Sequence, residues 1–175
     1  MKLIIASDIH GSYKYTKKLE ELIIKENPNK IVLLGDLYYH GPRNPLPEEY
    51  NCQKVADTLN KYSNKIIAIQ GNCDAEVDQM ISNFPLLKET SLTVSHHHFH
   101  FMHGHHLDKN NLLANTYYFV GHTHVYSLDG QILNPGSISL PKENPEHTCF
   151  IYQDNTISLI SLTDFHIIKE RKLNE

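Results

Sequence analysis

The chain has 175 residues, with 40% apolar and 21% charged, a globular balance long enough to bury a sizeable core. Its net charge of −4 argues against a broad nucleic-acid surface, which is generally basic, but not against a small anionic substrate held by metal ions. Three widely spaced cysteines, Cys52, Cys73 and Cys149, make no disulfide framework, and no apolar run reaches membrane length, so a single domain over 1–175 in the reducing cytoplasm is expected.

Residues 2–6 are a continuous apolar run and read as a buried strand. Ser12 is placed to cap a helix over 13–25, with Leu19, Leu22 and Ile23 at helical spacing and Asn27-Pro28 as the stop. A second strand covers 30–34. Residues 37–50 hold three prolines and no periodicity, so they read as a long loop, of the kind that serves as a lid. A short helix over 52–62 and a strand over 65–69 follow. Asp74 is the expected cap of a short helix ending near Ile81. The order β-α-β-α-β-α predicts a parallel sheet with right-handed crossovers.

The second half is predicted strand-rich and largely antiparallel, forming or completing a second sheet. Strands are expected at 92–95, 99–102, 117–120, 125–128, 131–133, 148–153, 156–162 and 166–172, with a loop or short helix over 107–115. Asp129-Gly130 and Asp154-Asn155 are hairpin turns. His96, His97, His98 and His100 are read as surface histidines around a hairpin tip, and Asn134-Pro-Gly-Ser137 as a turn buttressing the site.

Five strands end in polar residues of metal-binding type: Asp8 and His10, Asp36, Asn72, His103, and His122 with His124. Ligands of open parallel sheets lie beyond the carboxyl ends of the strands. Seven donors are too many for one four-coordinate ion. Two ions sharing a carboxylate use all of them, and such pairs act on phosphate esters and peptides. With no thiolate in the set, manganese, iron, zinc, cobalt or nickel fits.

Asp8-x-His10, Gly35-Asp36, Gly71-Asn72, His103 and Gly121-His-x-His124 resemble, in order and spacing, the five metal motifs of the calcineurin-like metallophosphoesterases. Ser7-Asp-Ile-His-Gly11, His40-Gly-Pro-Arg-Asn44, Gly71-Asn-Cys-Asp74 and Glu76-Val-Asp-Gln-Met80 are similar to the small bacterial YfcE-type branch. The resemblance implies an α/β fold, a two-sheet sandwich flanked by helices in four αββα layers. It implies a hydrolase of phosphoric esters that attacks a small phosphate diester in line with a metal-bound hydroxide. Two divalent ions are implied, manganese first. Asp8, His10, Asp36 and His124 would hold one, and Asp36, Asn72, His103 and His122 the other.

Beyond the ligands, His40, Arg43, Cys73 and His105 are the candidate substrate-binding residues. Asp36, Asn72, His105 and Cys73 are the candidate catalytic ones. Arg43 is either a surface charge or a guanidinium that grips a phosphate oxygen. Cys73 stands where many relatives carry histidine, which leaves the general acid open, with His105 a candidate replacement. A homo-oligomer is compatible with this reading. Competing functions are a phosphomonoesterase or nuclease on the same core, and a Vps29-like protein-binding scaffold. No membrane or nucleic-acid partner is expected.

Overall fold

The computed structural model describes residues 1–173. The first half follows the expected order: β1 (Leu3–Ala6), α1 (Tyr13–Glu26), β2 (Lys30–Leu33), α2 (Cys52–Asn60) and β3 (Ile66–Ile69). A 3-10 turn (Glu76–Ile81) and a two-residue strand β4 (Leu86–Leu87) come next. These four strands pair in parallel. All four residues of β1 are buried because both its faces are covered, which is why it reads as an unbroken apolar run.

Alternation divides that run between two cores. Ile4 and Ala6 face the helices and pack with Leu19, Leu22, Val55 and Leu59. Leu3 and Ile5 face a second sheet and pack with Phe99, Phe101 and Phe119. The N-cap of α1 is Ser12, and its end is Asn27 in a left-handed conformation whose N–H bonds Ile23 O. Asn51 Oδ1 caps α2 by accepting from Lys54 N at 2.9 Å.

The second half supplies β5 (Glu89–Val94), β6 (His97–Met102), β7 (Thr116–Phe119), β8 (Ile132–Leu133), β9 (Thr148–Gln153), β10 (Thr156–Ser161) and β11 (Ile167–Lys172). The sheet orders are β11-β10-β9-β1-β2-β3-β4 and β5-β6-β7-β8. The two sheets pack face to face through an aromatic core, with Phe99 set edge-on to Phe119 and Tyr152 at centroid distances of 5.1 and 4.9 Å. Among the described residues, no helix is long and apolar enough to cross a membrane.

Four expectations are corrected. The strands β9, β10 and β11 extend the first sheet, because β9 pairs antiparallel with the free edge of β1, rather than completing the second. In the second sheet only β5–β6 is antiparallel; β6–β7 and β7–β8 are parallel. The strand expected over 125–128 shrinks to one bridge between Ser127 and Asn134, since His122 and His124 take positive φ and turn the chain off the sheet. His97 is buried, not on the surface. It lies within β6, where a period of two puts it on the same inward face as Phe99 and Phe101.

Candidate metal centre

The seven donors converge where β1, β2, β3, β6 and β7 end. Asp8 Oδ1 lies 3.4 Å from His124 Nε2 and 3.7 Å from His10 Nε2. On the other side, Asn72 Oδ1 lies 3.0 Å from His103 Nε2 and 2.7 Å from His122 Nδ1. Asp36 Oδ2 stands between the two groups, 3.6 Å from His10 Nε2 and 3.4 Å from His103 Nε2.

The backbone is bent to bring them there. Asp8, His10, Asp36, His122 and His124 have φ of 56°, 49°, 54°, 67° and 63°. Left-handed backbone at a non-glycine residue costs on the order of 1 kcal/mol or more and persists only where its surroundings impose it. They do so here: Asp8 O accepts from Ser137 Oγ at 2.7 Å and Ser139 Oγ at 2.9 Å, and His10 N donates to Asp36 O at 2.8 Å. The Asn134–Ser137 turn thus buttresses the site, as expected. Two glycines allow the close approach. A Cβ on Gly71 would overlap Asp36 Oδ1, and one on Gly121 would overlap Ser7 Oγ.

Three histidines are held in one tautomer. The Nδ1–H groups of His10, His103 and His124 donate to the carbonyls of Tyr39, Leu34 and Leu140 at 2.8, 2.7 and 2.7 Å. Such bonds turn the Nε2 lone pair toward a metal. His10 Nε2 and His124 Nε2 are then two acceptors only 3.1 Å apart. Buried Asp8 Oδ1 beside them has no hydrogen-bond partner among the described residues. Lone pairs so arranged call for a cation between them, so the donor set fits divalent metal.

In the metal-free chain, protons must fill that role. Burial would raise the Asp8 carboxyl, but the imidazoles of His10 and His124, 3.7 and 3.4 Å away, reverse this once protonated and hold it well below the carboxylate range. Asp36 is also lowered: burial raises it, and the hydrogen bond and charge of His103 outweigh that. Burial alone would depress His103. The hydrogen bond to Asp36 and the charges of Asp8 and Asp36 instead raise it from 6.5 to about 9.

A raised histidine contributes stability that is full below pH 6.5 and lost as pH climbs through about 9. The lowered carboxylates contribute stability that is present above about pH 3.8 and is lost on further acidification. Without metal the protein should therefore lose stability from about pH 6.5 to about 9. A divalent ion, which must displace these protons, should bind more tightly over the same window. The gap in Tm with and without the ion should widen with pH. A gap that stays constant or narrows contradicts this electrostatic picture.

A cavity of about 860 Å³ opens over the donors, lined by Asp36, Asn72, His122 and His124 together with Arg43, Cys73 and Lys142. Arg43 is therefore at the site, and Cys73 Sγ lies within 4.8 Å of donor atoms of His10 and Asp36. Two candidates fall outside the lining. His40 packs edge-on between the rings of Tyr39 and Tyr50. His105 is exposed, its ring 6.0 Å from that of His122. The 37–50 segment is not a free flap: Tyr39 O orients His10, and Tyr13 N donates to Glu49 O at 3.2 Å.

Sequence reasoning missed two residues. Lys142 carried no motif. Asp74 is the expected cap of a helix, but the Glu76–Ile81 turn is capped at Ala75, whose N–H donates to Asp78 Oδ2. Asp74 is buried instead, and its carboxylate accepts from Asp36 N at 2.8 Å, Leu37 N at 2.7 Å and Gly71 N at 2.7 Å. It ties together the loops that carry Asp36 and Asn72. The hint was its place in the Gly71-Asn-Cys-Asp74 stretch, two residues after Asn72. Burial raises it to about 6, and those donors oppose the rise, so it is ionised at neutral pH.

The calcineurin-like phosphoesterase superfamily domain matches residues 1–156. Phosphodiesterase YfcE of Escherichia coli K12 is 40% identical over 99% of both chains. The solved structure of YfcE, a phosphoesterase from E. coli, superposes with a TM-score of 0.92 at 38% identity, covering 99% of this chain and 100% of that one. Vps29 of Entamoeba histolytica shares the fold, with a TM-score of 0.69 at 18% identity over 99% and 100% of the two chains. On sequence, fold and donor geometry alike, the chain belongs to the calcineurin-like phosphoesterase superfamily, whose members use divalent metal ions.

Proposed function

We propose that this chain is a cytoplasmic phosphodiesterase that hydrolyses a small phosphate diester at a two-metal centre. Asp8, His10, Asp36 and His124 would hold one ion, and Asp36, Asn72, His103 and His122 would hold the other. Manganese is the expected ion, and zinc, iron, cobalt or nickel suits the same donors. The observation that carries this reading is Asp36 Oδ2, midway between His10 Nε2 and His103 Nε2 at 3.6 and 3.4 Å. When bound, the ions supply positive charge against the phosphoryl oxygens and make water a nucleophile near neutral pH.

The chain's own residues orient and select. The carbonyls of Tyr39, Leu34 and Leu140 fix three imidazoles before any ion arrives, and Cys73 N donates to Asp36 Oδ1 at 2.8 Å, leaving Oδ2 for the metals. Arg43 presents a guanidinium to the cavity, suited to an anionic group of the substrate. Partial desolvation and the charge of His103 lower exposed His105, so at neutral pH it is a hydrogen-bond partner more than a proton donor. A scaffold role like that of Vps29 would leave the converged donors without a use.

Cys73 sets the preference for diesters. Burial, reinforced by the Asp36 carboxylate, pushes its thiol up to about 12, so it is a neutral, weak donor. A histidine there would add a donor and a positive charge, both of which favour a dianionic monoester and a poor leaving group. Cys73→His should raise the monoester-to-diester ratio of kcat/KM by roughly tenfold or more with metal retained. Cys73→Ser should be mild. Parallel assays of a monoester and a diester with one leaving group decide it. An unchanged ratio in the histidine variant, or a dead serine variant with its metal in place, defeats this account of Cys73.

The function itself is tested by incubating manganese-loaded protein with cyclic nucleotides, dinucleotides and phospholipid-derived diesters. Turnover of one class well above the others supports the reading. No diester hydrolysis with both ions bound refutes it.

A further inference from the structure

Two cations stand at the mouth of the cavity without partners. Arg43 comes from the 37–50 segment and Lys142 from the segment after Leu140, and both are exposed. Among the described residues neither head group has a hydrogen bond or ion pair; Lys14, Lys17, Lys61 and Lys169 each meet a carboxylate, while Lys88, Lys109 and Lys172, which also lack one, do not line this cavity. Leaving two cations unpaired beside one opening is notable in a chain of net charge −4.

Lys142 is not on a loose strand. Its own N–H donates to His124 O at 3.1 Å, and His124 Nδ1 donates to Leu140 O at 2.7 Å. The segment is thereby stapled to a donor histidine. Arg43 sits in a turn closed by Asn44 Nδ2, which donates to His40 O at 2.8 Å. The cavity wall also includes Pro42, Pro45 and Ala75.

We infer that Arg43 and Lys142 form a subsite for a second anionic group, so that the preferred substrate is a diester carrying a phosphate or carboxylate on one arm in addition to the scissile phosphate. This rests on the phosphodiesterase reading and names its substrate class. Two divalent ions against Asp8 and Asp36 would already make the floor positive for the single charge of a diester. Further cations are in excess unless the substrate brings further negative charge. The donors Asp8, His10, Asp36 and His124 are buried, while Arg43 and Lys142 are exposed, so they meet an anion at the mouth and not on the floor. The volume of about 860 Å³ suits a ligand much larger than one phosphate group, within the roughly 300–1,000 Å³ of small-molecule sites.

The test is a binding comparison with phosphonate monoesters, slow-reacting mimics of a diester, whose arms of graded length end in either a carboxylate or a methyl group. With metal-loaded protein at low salt, calorimetry should give the best carboxylate arm about tenfold tighter binding than its methyl counterpart, as one charge-assisted hydrogen bond supplies. Lys142→Ala and Arg43→Ala should each bring that ratio toward one while metal content holds. The kcat/KM values of aryl diesters with anionic and neutral arms should follow the same ratio. A native ratio near one, or a Lys142→Ala variant that weakens both ligand sets equally, overturns the inference. Failure to turn over any aryl diester with both metals bound would instead refute the phosphodiesterase reading, and the binding ratio would still decide the subsite.

Discussion

Replacing Asp36 with asparagine is expected to abolish turnover and to cut bound metal from two ions toward one. The substitution keeps size and leaves one oxygen able to accept from Cys73 N, as Oδ1 now does at 2.8 Å. It removes the anionic oxygen that faces His10 and His103 and puts an amide there. An NH2 group cannot ligate, and it would point its protons at Nε2 atoms or cations. On the proposed two-ion reading the loss should exceed the roughly 10³-fold cost of deleting a single electrostatic catalytic group, because both ions would lose a ligand at once. Metal analysis beside kinetics separates the two effects. An Asp36→Asn protein that keeps two ions and full activity would show that Asp36 does not bridge.

The second large effect is expected at Asp74, which touches no metal donor side chain. Its three accepted hydrogen bonds hold the backbone of Asp36, Leu37 and Gly71. Asp74→Leu would leave three buried amides without acceptors at about 1–3 kcal/mol each, a large share of the ~5–15 kcal/mol that stabilises a typical domain. Its Tm should fall steeply or the chain should fail to fold. Asp74→Asn is the informative variant, since it retains one carbonyl oxygen and sets an NH2 against an amide. It should fold and lose about 10–100-fold in metal affinity, the usual cost of removing a group that orients ligands. An Asp74→Asn protein that binds metal like the native chain would reduce Asp74 to a structural acid.

The contrast between Asp36 and Asp74 shows what a sequence makes legible. Metal ligation needs particular side-chain atoms at the ends of particular strands, so Asp8, His10, Asp36, Asn72, His103, His122 and His124 stand out as candidate donors by type and place, and the fold brings them together. The shell behind them is mostly backbone. The carbonyls of Tyr39, Leu34 and Leu140 that orient the imidazoles belong to any residue and leave no signature. Asp74 is a local cap by its neighbours and a long-range tether by its contacts, and only burial decides between these. Lys142 is one lysine among many until the fold brings it beside His124.

The fold divides similarly. The β1-α1-β2-α2-β3 unit was readable because its contacts are local and its crossovers are constrained. That β9 would pair with the open edge of β1, and that β6, β7 and β8 would run parallel, depends on which edges remain free once the first sheet forms. His97 was misplaced for a related reason. A histidine tract looks polar by composition, yet strand alternation turns one of its members into the aromatic core.

The central claim is that two ions share Asp36. It is tested most directly by an anomalous-difference map from crystals of manganese-loaded protein. The account predicts two peaks about 3.5–4 Å apart, one against Asp8, His10 and His124 and one against Asn72, His103 and His122, with an Asp36 oxygen between them. A single peak at saturating manganese, or two peaks with Asp36 bound to only one, would contradict it.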